Sequence, residues 1–157
     1  MARQAEVPRP RALLVCSPGG HLFQMLCLEG AWSEMERTWV TLEAPDTAHL
    51  LEHEDVVLAR GPTNRSVRAL LANIRLAWRV VRRERPDAIL STGAALAFPF
   101  FLAGKLTGAR LIYVESLTRT SRLSLTGRLV YPLADAFFVQ WPAADTRART
   151  RYAGNLL

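Results

Sequence analysis

What most restricts this chain is a regular alternation of short apolar runs with longer stretches of helical period. The runs are Ala12–Cys16, Thr38–Leu42, Val56–Ala59, Ala88–Leu90, Leu111–Val114 and Ala136–Val139. Four of them lack the apolar-polar alternation of a strand with one wet face, as expected where helices cover both faces of a sheet. Helix-compatible stretches lie between them, at 22–35, 46–52, 66–85, 94–107 and 121–133. Strand and helix in turn predict an α/β domain built on a doubly wound parallel sheet. The 157 residues suit one such domain, 11–157, behind a short flexible lead, 1–10. That lead holds prolines and arginines and no apolar run, so neither a signal peptide nor an N-terminal transmembrane helix is expected. A single domain of this size also has no room for an enzyme that closes a cleft between two lobes.

Twenty Lys and Arg against fourteen Asp and Glu give a formal charge of +6, and Lys105 is the sole lysine. Arginine forks pair well with phosphates. Two cysteines, Cys16 and Cys27, make neither a disulfide framework nor a four-ligand zinc site, which suits a reducing compartment. The clearest helix, Ser66 to Arg85, puts Val67, Leu70, Leu71, Ile74, Trp78 and Val81 on one stripe, with Arg68, Arg75, Arg79 and Arg82 along its edge. Two readings fit: a core-packing helix with a solvated basic flank, or a basic face turned to phospholipid head groups or a pyrophosphate lipid. Residues 88–104 carry no charge, but Ser91-Thr92-Gly93 and Pro99 favour a strand, a glycine turn and an apolar helix over a membrane span. Phe98, Phe100 and Phe101 cannot all share one face of that helix, so an outward phenylalanine is expected, with Phe98 and Phe101 as candidate lipid contacts.

In open parallel sheets ligands bind at the carboxyl ends of the strands. Ser17-Pro18-Gly19-Gly20-His21 occupies the first such turn, where paired glycines allow close backbone approach and a helix start offers free N–H groups to an anion. The turn is either a phosphate cradle or a tight connection, and His21 either a base, a charged clamp or a structural residue. Ser91-Thr92-Gly93-Ala94 repeats the device. Glu115-Ser116, followed by Arg119 and Arg122, is the third; Glu115 there binds hydroxyls, accepts a proton or pairs with an arginine. Ser121 reads as the cap of the next helix. No metal motif is present: His49 and His53 are four apart but lack a third ligand, and no cofactor is expected.

These pieces, in order, carry a resemblance. Ser17-Pro18-Gly19-Gly20-His21-Leu22 with Gln24-Met25-Leu26, Ser91-Thr92-Gly93-Ala94 with Pro99, and Tyr113-Val114-Glu115-Ser116 are its first half. The stretch 123–129 (LSLTGRL), Ala134-Asp135, Val139-Gln140-Trp141-Pro142 and Tyr152-Ala153-Gly154-Asn155 are its second. Together they resemble the acceptor-side subunit of split glycosyltransferases: bacterial PssD-type exopolysaccharide proteins and the membrane-anchor subunit of the dolichol-pathway UDP-GlcNAc transferase. The resemblance implies a Rossmann-like domain similar to the N-terminal lobe of MurG in the GT-B architecture, with a separate donor-binding glycosyltransferase subunit as partner. It implies a polyprenyl-pyrophosphate-linked sugar as acceptor and a UDP-sugar, UDP-GlcNAc or UDP-glucuronate, brought by the partner. Ser17, Gly19, Gly20, Ser91, Thr92, Gly93, Ser116 and Arg119 would bind acceptor and phosphate, and His21 and Glu115 would face the acceptor sugar. Unlike the eukaryotic subunit, this chain shows no N-terminal transmembrane helix, so attachment is expected to be peripheral, at the cytoplasmic face of the membrane. The competing reading is a non-catalytic scaffold that recruits a catalytic chain to the membrane. Nucleic acid ranks last as a partner, because the basic residues are not interleaved with aromatics.

Overall fold

The structure is a computed structural model that describes residues 8–62, 67–144 and 147–156. Most of the expected lead, 1–7, and the expected first helical residue, Ser66, lie outside these residues. Six strands fall on the six apolar runs: β1 (Arg11–Val15), β2 (Glu36–Thr41), β3 (Val56–Leu58), β4 (Ala88–Ser91), β5 (Arg110–Val114) and β6 (Ala136–Val139). A seventh, β7 (Thr150–Tyr152), was not expected, because its three residues are polar and largely exposed and carry no apolar run. All pairings are parallel, in the order β3-β2-β1-β4-β5-β6-β7. Successive strand residues therefore point into two different apolar layers. Leu13, Val15, Ile89, Leu111, Tyr113 and Phe137 face one layer, and Leu14, Trp39, Leu90, Ile112, Val114 and Phe138 the other. This double burial explains the unbroken apolar runs.

The first layer is roofed by α4 (Val67–Glu84), α5 (Ala97–Thr107) and α6 (Leu125–Val130). The second is covered on its β1–β2 side by α1 (Gly20–Cys27), α2 (Glu29–Trp32) and the end of α3 (Pro45–Leu50). Over β5 and β6 that second face is open, leaving an apolar groove of about 590 Å³ whose walls include Leu90, Ile112, Phe138, Trp32, Met35 and Leu156. Two aspartates organise the amino ends of the strands: Asp87 accepts from the Arg11 amide (2.8 Å), and Asp135 from the Leu111 amide (2.8 Å) and Lys105 Nζ (3.1 Å). The Leu111 amide, then Lys105, hold the Asp135 carboxyl below the usual carboxylate range.

Three helix expectations change. The expected 22–35 helix breaks at Leu28 into α1 and α2. The helix after β5 starts at Leu125 and is capped by Ser124, whose Oγ accepts from the Gly127 amide (2.9 Å), not by Ser121. α4 is rotated from its expected setting. It buries Ala69, Asn73, Ala77, Val80 and Val81, while Val67 is 70% and Trp78 42% exposed. Asn73 sets this rotation: its amide bonds both the N–H and the C=O of Arg60 at 2.9 Å, and the alanines on either side let the helix approach closely. The basic edge thus flanks an apolar stripe that faces outward.

Candidate active site

The chain winds from β1 through β2 to β3 on one side, then crosses to β4 on the other side of β1. The switch point lies between β1 and β4, where parallel α/β sheets open a crevice at the strand carboxyl ends. The Ser17–Gly20 and Thr92–Leu96 turns meet there. His21 Nδ1 lies 2.8 Å from the Thr92 carbonyl, and Thr92 Oγ1 donates back to the His21 carbonyl at 2.7 Å. A carbonyl only accepts, so in the neutral ring Nδ1 carries the hydrogen and Nε2 is a bare acceptor. Gly93 (φ 119°) lies against the ring: a Cβ there would stand 2.8 Å from His21 Cε1 and 3.0 Å from Nδ1. Ala94 follows with φ 69°, and Ser91 Oγ accepts from the Gly93 amide (3.2 Å). Gly93 adopts its φ freely, but Ala94, a non-glycine in the left-handed region, is a strained residue of the kind found at binding sites.

The glycine turn is formed but not empty-handed. Gly19 (φ 73°) precedes α1, and its amide, an expected phosphate donor, instead donates to Asp46 Oδ2 at 2.6 Å. Asp46, at the start of α3, had no visible role in the sequence, because only the fold brings the β2–α3 connection beside the glycines. Beneath the turn, burial and then the Asp46 charge push the Cys16 thiol up to about 12. Gly20 has open space beside it, and Ser17 is half-buried.

Glu115, at the carboxyl end of β5, lies inside the fold. It is 1% exposed, and its carboxylate is filled from within the chain: Oε1 accepts from the Ser116 amide (2.9 Å), Oε2 from Ser124 N (2.9 Å) and Oγ (3.0 Å). Among the described residues it forms no ion pair with Arg119 or Arg122. Its charge, after burial, pushes the Tyr113 phenol up. Through these bonds Glu115 holds the 116–124 loop to the start of α6. Ser116 is buried with its hydroxyl 3.1 Å from that of Thr118, while Arg119 is exposed on the same loop. Two residues with no assigned role prove structurally central. Gln24 (7% exposed) and Gln140 (2% exposed) bond each other at 2.7 Å beneath the site. The signal for Gln140 was a polar side chain closing an otherwise apolar run, and for Gln24 a polar side chain within an apolar helical stretch.

Of the expected lipid contacts, Arg68, Arg75, Trp78, Arg79 and Arg82 are exposed on α4, and the Arg82 guanidinium lies 5.4 Å from the Trp78 ring centre. Phe98 is half-buried. Phe101 is fully buried edge-on to Tyr113 (6.0 Å) and is withdrawn as a surface contact; Leu102 and Leu106 are the exposed apolar residues of α5. Among the described residues no three metal-ligating side chains converge, and no helix is long and apolar enough to cross a membrane.

Known proteins match both sequence and shape. Residues 56–156 fit the family described as "Oligosaccharide biosynthesis protein Alg14 like". The UDP-N-acetylglucosamine transferase subunit ALG14 of Yarrowia lipolytica is 30% identical over 176 residues, covering 94% of this chain and 82% of that protein. Its rat counterpart is 29% identical over 177 residues, covering 92% and 82%. Among solved structures, MurG of Acinetobacter baumannii superposes with a TM-score of 0.72 at 18% identity over 91% of this chain. The UDP-N-acetylglucosamine 2-epimerase of Rickettsia bellii does so with 0.73 at 11% identity over 94%. This chain spans 45% of each of those two, and the likeness shows a shared Rossmann-like lobe. By its sequence and its sheet, this chain belongs to the Alg14-like family of oligosaccharide biosynthesis proteins.

Proposed function

We propose that this chain is the acceptor-binding half of a two-chain glycosyltransferase. A partner chain would supply the UDP-sugar, of UDP-GlcNAc or UDP-glucuronate type, and the acceptor would be a sugar linked to a polyprenyl pyrophosphate. The reading rests on His21: an imidazole at the switch-point crevice, locked through Nδ1 with Nε2 bare. Nε2 takes the proton of the acceptor hydroxyl as that oxygen bonds to the anomeric carbon and the carbon–UDP bond breaks. Gly20 and the first turn of α1 would face the pyrophosphate, displaced from the Asp46 carboxylate, with Ser17, Ser91, Thr92, Gly93, Ser116 and Arg119 around the acceptor. The relatives' designation as transferase subunits supports a second chain, as does the open apolar groove on β5 and β6. Reconstitution tests this: transfer from UDP-sugars to a polyprenyl-pyrophosphate-linked sugar is expected only with both chains present, and turnover by this chain alone would contradict it. The inward Glu115 gives the scaffold reading its one support, and that reading requires a His21 variant to be fully active.

The exposed stripe of α4 supports peripheral membrane contact, placed by this reading at the cytoplasmic face. An arginine near an anionic surface contributes about 1 kcal/mol. Replacing Arg75, Arg79 and Arg82 with alanine should therefore weaken binding to vesicles containing phosphatidylglycerol by roughly a hundredfold at low salt. Cosedimentation checks it, and unchanged binding would leave α4 as a solvated helix.

A further inference from the structure

Two buried glutamines connect the apolar groove to the turn before His21. Gln140, directly after β6, points Nε2 at Gln24 Oε1 (2.7 Å) and at the Glu115 carbonyl (2.9 Å), while its Oε1 accepts from the Leu156 amide (3.0 Å). Gln24, on α1, accepts a second bond at Oε1 from the Leu117 amide (2.9 Å) and donates from Nε2 to the Gly20 carbonyl (2.9 Å). The partners fix the orientation of both amides, since a carbonyl cannot donate and a backbone N–H cannot accept. Gln140 and Leu156 both line the groove, and Leu156 packs against the apolar layer at its floor. An unbroken line of hydrogen bonds thus runs from the C-terminal wall of the groove, through Gln140 and Gln24, to the residue that precedes His21. A buried network of this kind is strong when complete and costly when one member is missing, so it favours one arrangement of all its members.

We propose that Gln140 and Gln24 are positioning residues that couple the C-terminal wall of the groove, residues 153–156, to the orientation of His21. A chain seated in the groove and moving that wall would then set the site. This part rests on the partner reading above; the coupling itself does not. Leu156→Pro deletes the N–H that meets Gln140 Oε1, whereas Leu156→Ala trims the side chain and keeps it. In the full chain, NMR of the His21 ring nitrogens and hydrogen exchange of the α1 amides read the far end of the network. Leu156→Pro is expected to shift the His21 resonances and speed α1 exchange at least tenfold, with β2 and β3 unaffected and Leu156→Ala close to the parent protein. Gln140→Leu should reproduce the change, and Leu156→Pro added to it should change nothing more. The coupling is overturned if Leu156→Pro acts only on 153–156, if Leu156→Ala has the same effect, or if the two substitutions add. Should Gln140→Leu fail to fold, the Pro and Ala comparison still decides. No turnover is measured, so this result and the transfer reading can fail separately.

Discussion

Gly93→Ala is expected to lower sugar transfer by about a hundredfold or more while leaving a folded protein. The added Cβ would lie 2.8 Å from His21 Cε1, and the backbone at φ 119° disfavours any side chain. The backbone strain alone costs on the order of 1–3 kcal/mol. The larger consequence is local: the imidazole must move, and its 2.8 Å bond to the Thr92 carbonyl breaks with it. Misplacing a catalytic group by about an ångström typically costs about a hundredfold in rate. Gly108→Ala is the control. That glycine has φ 84° and nothing within 4 Å of an added Cβ, so it should lose stability of about 1–2 kcal/mol and keep its turnover. Equal loss of activity in the two variants would remove the special place given to the Gly93–His21 contact.

The largest effect on stability should come from Glu115→Gln, about 2–4 kcal/mol, seen as a fall in Tm of roughly 5–15 °C. The carboxylate receives three donors, one on Oε1 and two on Oε2, from Ser116 and Ser124. A glutamine amide has one oxygen, so one side must turn an NH2 toward a backbone N–H, that of Ser116 or that of Ser124, and a buried donor loses its partner. Gly127→Ala attacks the same contact from the other side, because its Cβ would collide with Glu115 Oε2. The two substitutions should therefore be far from additive, and the double variant little worse than the poorer single one. A neutral Glu115→Gln would mean that the loop holds its shape without this carboxylate.

The residues whose roles were legible in the sequence are those governed by local rules. Six strands were readable because double burial makes most of them unbroken apolar runs, and the glycine turns because each lies directly between such a run and a helical stretch. β7 was not, since an exposed edge strand of Thr, Arg and Tyr leaves no pattern. The facing of α4 was hidden because one buried asparagine outweighs a stripe of larger apolar residues, and Asn73 finds its partner only in the fold. The position of Glu115 leaves several roles open, and the resemblance sets it toward the acceptor; its three donors come from a loop whose path the sequence does not specify. Asp46, Gln24 and Gln140 were missed for the same reason, as each acts on residues distant in the chain. His21 was found on local grounds, yet the Thr92 carbonyl that fixes its tautomer lies 71 residues away.

The central claim is that His21 Nε2 accepts the proton of the acceptor hydroxyl. The most direct measurement is kcat for His21→Ala in complex with the donor-binding chain, using a UDP-sugar and a polyprenyl-pyrophosphate-linked sugar. A positioned general base contributes about 10²–10⁴ in rate, so kcat should fall by that range with complex formation and Tm little changed. A variant that forms the complex and turns over within about threefold of the parent rate would contradict the claim, since that is far below what a general base supplies.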